Sequence, residues 1–247
     1  MSDPLNITPR RLVPLIGPIL WLPGELAPSD QMIPLGAEHA AELEAARRAD
    51  AAGLPCDPMP RLDTLVGELR SRLDHGRGFA LMRGLPPGEE PGAAAEVLAR
   101  RLGTIVPALP DSGSRHVEAC DALLLRVAAP GTARLRSAAA IHNALLRSDR
   151  AGLAALYEGR GEPAVPVFSH EGGIFAARWD DAALPPDRIP AALEEAMGEA
   201  LTLSLRPGDI LALNPFLVWA DRIPAVVAVA VRETPSRLDS GALAALR

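Results

Sequence analysis

Few side chains in this sequence have the type and spacing for chemistry. His116-Val117-Glu118 is the one triplet with a histidine two residues before an acid. On a β-strand, residues i and i+2 project to the same face, so both side chains of an extended triplet would reach one metal ion. Three residues of this kind are a weak signal taken alone. The other histidines read as structural. His39 and His142 fall in helical stretches, His75 closes another, and His170 precedes the turn Glu171-Gly172-Gly173. All 25 basic residues are arginine, which excludes Schiff-base lysine chemistry and a phosphate-loop lysine. Cys56 and Cys120 are too few for a disulfide framework and form no Cys-x-x-Cys.

The elements that position such residues follow from periodicity. Leu62, Leu65, Val66, Leu69 and Leu73 fall on one helical face, which predicts an amphipathic helix over Arg61 to His75. Good helix formers with Gly53 behind them predict another over Ala37 to Ala52. Further helices are expected over Pro91 to Leu102, Ala138 to Leu146 with a second piece to Tyr157, and Ala191 to Ala200. Strands are expected over Gly78 to Arg83, Asp121 to Ala128, Val165 to Ser169 and Gly173 to Arg178. Leu205 to Arg232 reads as a β-hairpin followed by a strand. Pro207-Gly208-Asp209 is its turn signal, and Ala225 to Val231 is an apolar run suited to burial on both faces.

A net charge of −6 gives no basic footprint for nucleic acid or an anionic membrane. Leu12 to Leu22 is apolar but interrupted by Pro14 and Pro18, too short to span a bilayer, and reads as an arm on the body of the protein. A cytoplasmic protein is the expectation. The 247 residues suit one domain, with residues 1–60 as an N-terminal arm and helix.

Three fragments together carry a family resemblance. "GFALMRGLP" from Gly78, "LRPGDILALN" from Leu205, and the spacing from Asn214 to residue 219 resemble the taurine dioxygenase-like Fe(II)/2-oxoglutarate oxygenases. The resemblance implies an α+β domain, mostly β with flanking helices, around a double-stranded β-helix or jelly-roll. It also implies an iron held by two histidines and one carboxylate, with three positions left for 2-oxoglutarate and oxygen. Aligned with a gap before the Asp121 strand, His116 and Glu118 take the proximal ligand positions. Aligned without one, those positions fall on Gly113 and Arg115, and no ligand remains. The distal histidine position is Trp219, whose indole N–H donates a hydrogen bond and cannot ligate iron. Asp221 stands where many members carry arginine, and Ala133 where they carry a hydroxyl residue that helps hold 2-oxoglutarate.

The resemblance gives Arg232 one surviving task. Val226, Ala228, Ala230 and Arg232 share a strand face, and an inward guanidinium there would clamp the distal carboxylate of 2-oxoglutarate. The plainer alternative is an exposed strand-end arginine beside Glu233. Two functional readings stay open. The favoured one is a non-catalytic or altered-chemistry relative that binds a small ligand or partner, with no cofactor. The other is a non-haem oxygenase using Fe(II) and 2-oxoglutarate on a small molecule, with His116 and Glu118 as iron ligands.

Overall fold

The computed structural model describes residues 12–54, 58–85, 93–107, 119–159, 164–171, 173–179, 189–223, 226–239 and 241–246. Its largest sheet has six strands: β1 (Met32–Pro34), β2 (Phe79–Arg83), β3 (Thr104–Val106), β4 (Ala122–Val127), β9 (Ile210–Leu213) and β11 (Val226–Arg232). They lie in the order β1-β2-β9-β4-β11-β3, with every pairing antiparallel except β1 with β2. A second sheet of three strands runs in the order β10-β5-β8, from β5 (Gly131–Ser137), β8 (Leu201–Leu205) and β10 (Val218–Ala220). A two-stranded sheet joins β6 (Phe168–Glu171) to β7 (Ile174–Ala177).

Alternation along the strands divides the core in two. Leu81, Leu125 and Leu211 point from the large sheet into a core that also buries Ala133, Leu135, Leu203 and Leu205 of the small sheet. Ala80, Met82, Leu124, Ala212 and Val229 point the other way, toward helices α2 (Ala37–Ala52), α3 (Pro60–Asp74) and α4 (Ala93–Leu102). The leucine stripe of α3 is wholly buried in that second core. Gly53 ends α2 in the left-handed conformation, where glycine meets no Cβ penalty. Helices α5 (Ala138–Ser148) and α6 (Arg150–Leu156) bury Ile141, Leu145, Leu153 and Leu156 in the first core, so helices cover the strands from more than one side. The short helices are α1 (Pro28–Gln31) and α7 (Leu193–Met197).

Leu205 to Ala220 departs from the expected hairpin. β8 and β10 belong to the small sheet and β9, between them, to the large one, so the chain changes sheet at each turn. Two-residue periodicity marks a strand without naming its partner. β11 is half-buried or exposed over Val226 to Ala228 and fully buried only from Val229 to Val231. The helix expected over Ala191 to Ala200 is confined to Leu193–Met197, because Gly198 takes φ +55° and leads into β8.

Residues 12–22 lie along the body. Asn143 accepts from the Leu15 N–H through Oδ1 at 2.8 Å and donates to the Leu15 carbonyl through Nδ2 at 2.8 Å. Trp21 donates its indole N–H to the Arg77 carbonyl at 2.9 Å.

Candidate ligand site

The residues that gave the strongest family signal turn out to build the frame. Asp209, 2% exposed, accepts from Arg83 Nη2 at 2.6 Å, from Arg83 Nε at 3.1 Å and from the Arg206 N–H at 2.9 Å. Arg83 Nη2 also donates to the Ser204 carbonyl, and Arg126 donates to the Gly208 carbonyl. The bond to Asp209 raises the Arg83 pKa, while burial lowers that of Arg126. The arginine of "MRGLP" and the aspartate of "RPGD" therefore lock the turn that carries the chain between sheets. Gly84, at φ +124°, lies against the Leu35 carbonyl, where a Cβ would collide. Asn214 does the same service at the next corner. It is fully buried, donates through Nδ2 to the Leu73 carbonyl at 3.2 Å, and accepts from the Phe216 N–H at 3.1 Å.

Trp219 lies just beyond that corner and is 6% exposed. Phe168 stacks on it at 5.8 Å with an interplanar angle of 17°, and Trp179 meets it edge-on at 5.7 Å. Phe168 in turn stacks on Phe175 at 5.9 Å and packs against His142 at 5.4 Å. His142 is a packing histidine. Burial lowers its pKa, so the ring is neutral. Its Nδ1 lies 3.2 Å from Asn143 Oδ1, which can only accept, so Nδ1 carries the proton and Nε2 accepts from the Tyr157 hydroxyl at 2.9 Å.

Strand register decides what Trp219 faces. It sits opposite Arg136 on β5, with Val218 opposite Ser137 and Ala220 opposite Leu135. Directly opposed residues of an antiparallel pair share a face. Trp219 therefore shares its face with Arg134, Arg136 and Asp221, and Ala133 and Leu135 occupy the other. Asp221 accepts from Arg136 Nη1 at 2.6 Å and lies 3.5 Å from Arg134 Nε. Sequence reading missed β5, and with it Arg136. The available signal was the alternation of Thr132, Arg134 and Arg136 with Ala133, Leu135 and Ser137.

Two donors on this face have no partner. The Trp219 indole Nε1 and the Arg136 Nε are both buried without an acceptor. A third orphan is the Nε of Arg232. Register sets Ala230 opposite Leu123 and Ala228 opposite Leu125, so Arg232, on the same alternation, faces the inter-sheet side. Trp219 and Arg232 thus stand on different sheets.

His116 and Glu118 lie outside the described residues, as do Gly113 and Arg115. Among the described residues, no three His, Cys, Asp or Glu side chains gather as a metal-holding group. Asp121 is a structural cap, accepting from the Glu233 and Arg237 N–H groups at 2.9 Å each. His170 is exposed on β6.

Two sheets linked by strands that alternate between them, with helices outside the larger one, is also the arrangement of known enzymes. The structure of asparagine oxygenase (AsnO) matches with a TM-score of 0.57 at 18% identity, over 82% of this chain and 93% of that one. The iron complex of the non-haem iron oxygenase OrfP matches with a TM-score of 0.53 at 15% identity, over 81% and 93%. The chain has the fold of the non-haem iron oxygenases. No protein-family profile and no curated protein matches the sequence. At these identities the likeness to the oxygenases is one of fold, and function must be argued from the site. No helix among the described residues is long and apolar enough to cross a membrane.

Proposed function

We propose that this chain is a non-catalytic, cytoplasmic relative of the Fe(II)/2-oxoglutarate oxygenases. On this reading residues 1–247 form one jelly-roll domain that binds a small carboxylate ligand without iron redox chemistry. The observation that carries the reading is Trp219. By its spacing from Asn214 it corresponds to the family's distal metal ligand in the sequence resemblance, and its indole is packed between Phe168 and Trp179. An indole has no lone pair to give a metal. His116 and Glu118 would supply two donors where oxygenase iron takes three protein ligands. That donor set does not fit iron.

The carboxylate half of the cofactor site fares better. The inward Arg232 keeps a buried Nε without an acceptor, and a carboxylate is the natural partner of a guanidinium fork. Ala133 offers no hydroxyl to assist it. The asparagine oxygenase complex holding Fe(II), hydroxyasparagine and succinate supports carboxylate ligands for this fold.

Calorimetric titration of 2-oxoglutarate tests the reading. Weak binding that is the same with and without Fe(II), and at least about tenfold weaker in Arg232→Met, is expected. Binding that appears only once Fe(II) is added would restore the oxygenase reading, with His116 and Glu118 as ligands.

A further inference from the structure

Residues 233–239, which leave the end of β11, are tied to the body mainly by charges. Asp121 accepts from the Glu233 and Arg237 N–H groups at 2.9 Å each, and Arg237 Nη2 donates to Asp74 of α3 at 3.0 Å. Leu238 is the only buried hydrophobic side chain of the stretch, while Thr234, Pro235 and Asp239 are exposed. A short segment with one apolar anchor and a polar clasp is of the kind that opens before the core does.

The clasp holds one acid too many. Asp74 from α3, Asp121 from the approach to β4 and Glu233 make three acids, against Arg70 from α3 and Arg237 from the segment itself. The side chains of Glu233, Asp74 and Arg237 are 13%, 19% and 15% exposed, so water does little for an unbalanced charge. Arg70 lies 3.6 Å from Glu233 but also donates to the Leu102 carbonyl at 3.0 Å. Glu233 is hydrogen-bonded to Asp74, and two carboxyl groups can share a hydrogen bond only when one of them carries a proton. With that proton in place, Asp74 and Asp121 balance Arg70 and Arg237. We propose that residues 233–239 are a proton-held strap, closed on α3 while Glu233 and Asp74 share a proton and increasingly open as the proton is withdrawn. The direction follows from the two states of Glu233. Burial, and then Asp74, hold its pKa at about 7 in the closed strap, whereas in the open strap it returns to 4.5. The open form therefore loses the proton first as pH rises, so opening grows between about pH 4.5 and about pH 7 and levels off above.

Amide hydrogen exchange of the ¹⁵N-labelled full chain tests this, with rates corrected for the intrinsic effect of pH. The Glu233, Arg237 and Leu238 amides, each bonded to a side chain of the clasp or the strap, report on the strap, and the amides of β4 and β9 report on the core. The strap amides are expected to be less protected than those of β4 and β9, and to lose protection by about 5- to 30-fold from pH 4.5 to pH 7. Glu233→Gln is neutral at every pH and can still donate to Asp74, so its strap protection should stay flat. At pH 7 it should exceed that of the wild type by about the same factor, a direction that structural damage would not produce. Strap amides that exchange in step with those of β4 and β9, or a pH dependence that survives Glu233→Gln, would overturn the proposal. Should Glu233→Gln fail to fold, Asp74→Asn also removes the excess charge and should flatten the same profile, and an unchanged profile there would be equally fatal.

Discussion

Arg83 with Asp209 and Arg136 with Asp221 are two arginine–aspartate pairs of the same length, 2.6 Å, put to opposite ends. At the first the carboxylate is the buried partner, 3% exposed against 26% for the arginine, and backbone groups share the remaining hydrogen bonds. At the second the arginine is the buried partner, 11% exposed against 41%, and its Nε is left over. A buried charge with every bond made holds a turn in place. A buried charge with a spare donor, next to an indole with another, is held less completely. The same residue types thus lock a turn in one place and leave donors over in the other, and the spare donors tell them apart.

The comparison breaks most readily at Asp209. Asp209→Ala leaves Arg83 without its carboxylate and should lower stability by about 3–5 kcal/mol, read from urea unfolding. A loss under about 1 kcal/mol would mean that the turn does not depend on the pair.

The tryptophans sharpen it. Trp21 makes its indole hydrogen bond and Trp219 does not, so Trp21→Phe should cost about 1–2 kcal/mol more than Trp219→Phe. Equal costs would mean that the Trp219 N–H is satisfied in solution.

Glu233 offers a third kind of acid, crowded as well as paired, with Arg70 Nε 3.6 Å from its carboxylate. Burial, and then the neighbouring Asp74, push its pKa up from 4.5 to about 7. Between those values the folded chain keeps a proton that the unfolded chain has lost. Its contribution to stability is therefore full below about pH 4.5 and declines as pH rises toward 7. The decline should amount to about 1–2 kcal/mol and vanish in Glu233→Gln, measured as urea midpoints against pH.

The smallest effect belongs to Asp221. Its carboxylate is well exposed, and Asp221→Ala should cost less than about 1 kcal/mol. A loss matching that of Asp209→Ala would erase the distinction between the two pairs.

Much of the frame could be read before the fold was seen. The α3 leucines carry a helical period, and Arg83, Asp209 and Asn214 sit at spacings that point to an oxygenase-like fold. Their role was less legible, because a motif gives residue types without saying that Asp209 and Asn214 hold corners. The exchange of strands between sheets was hidden for a similar reason, since alternation fixes a face and not a neighbour. β5 escaped notice because its seven residues interleave two arginines with small and apolar side chains and run straight into a helix. Without β5, Trp219 could be read only as the loss of a ligand. Register with β5 sets it opposite Arg136, with its indole N–H left over.

The account depends most on residue 219 having left no working iron site. Anaerobic titration of the purified, metal-free chain with Fe(II) tests this directly, with His116→Ala alongside. The prediction is no binding tighter than about millimolar and no difference between the two proteins. Micromolar Fe(II) affinity that disappears in His116→Ala would contradict it.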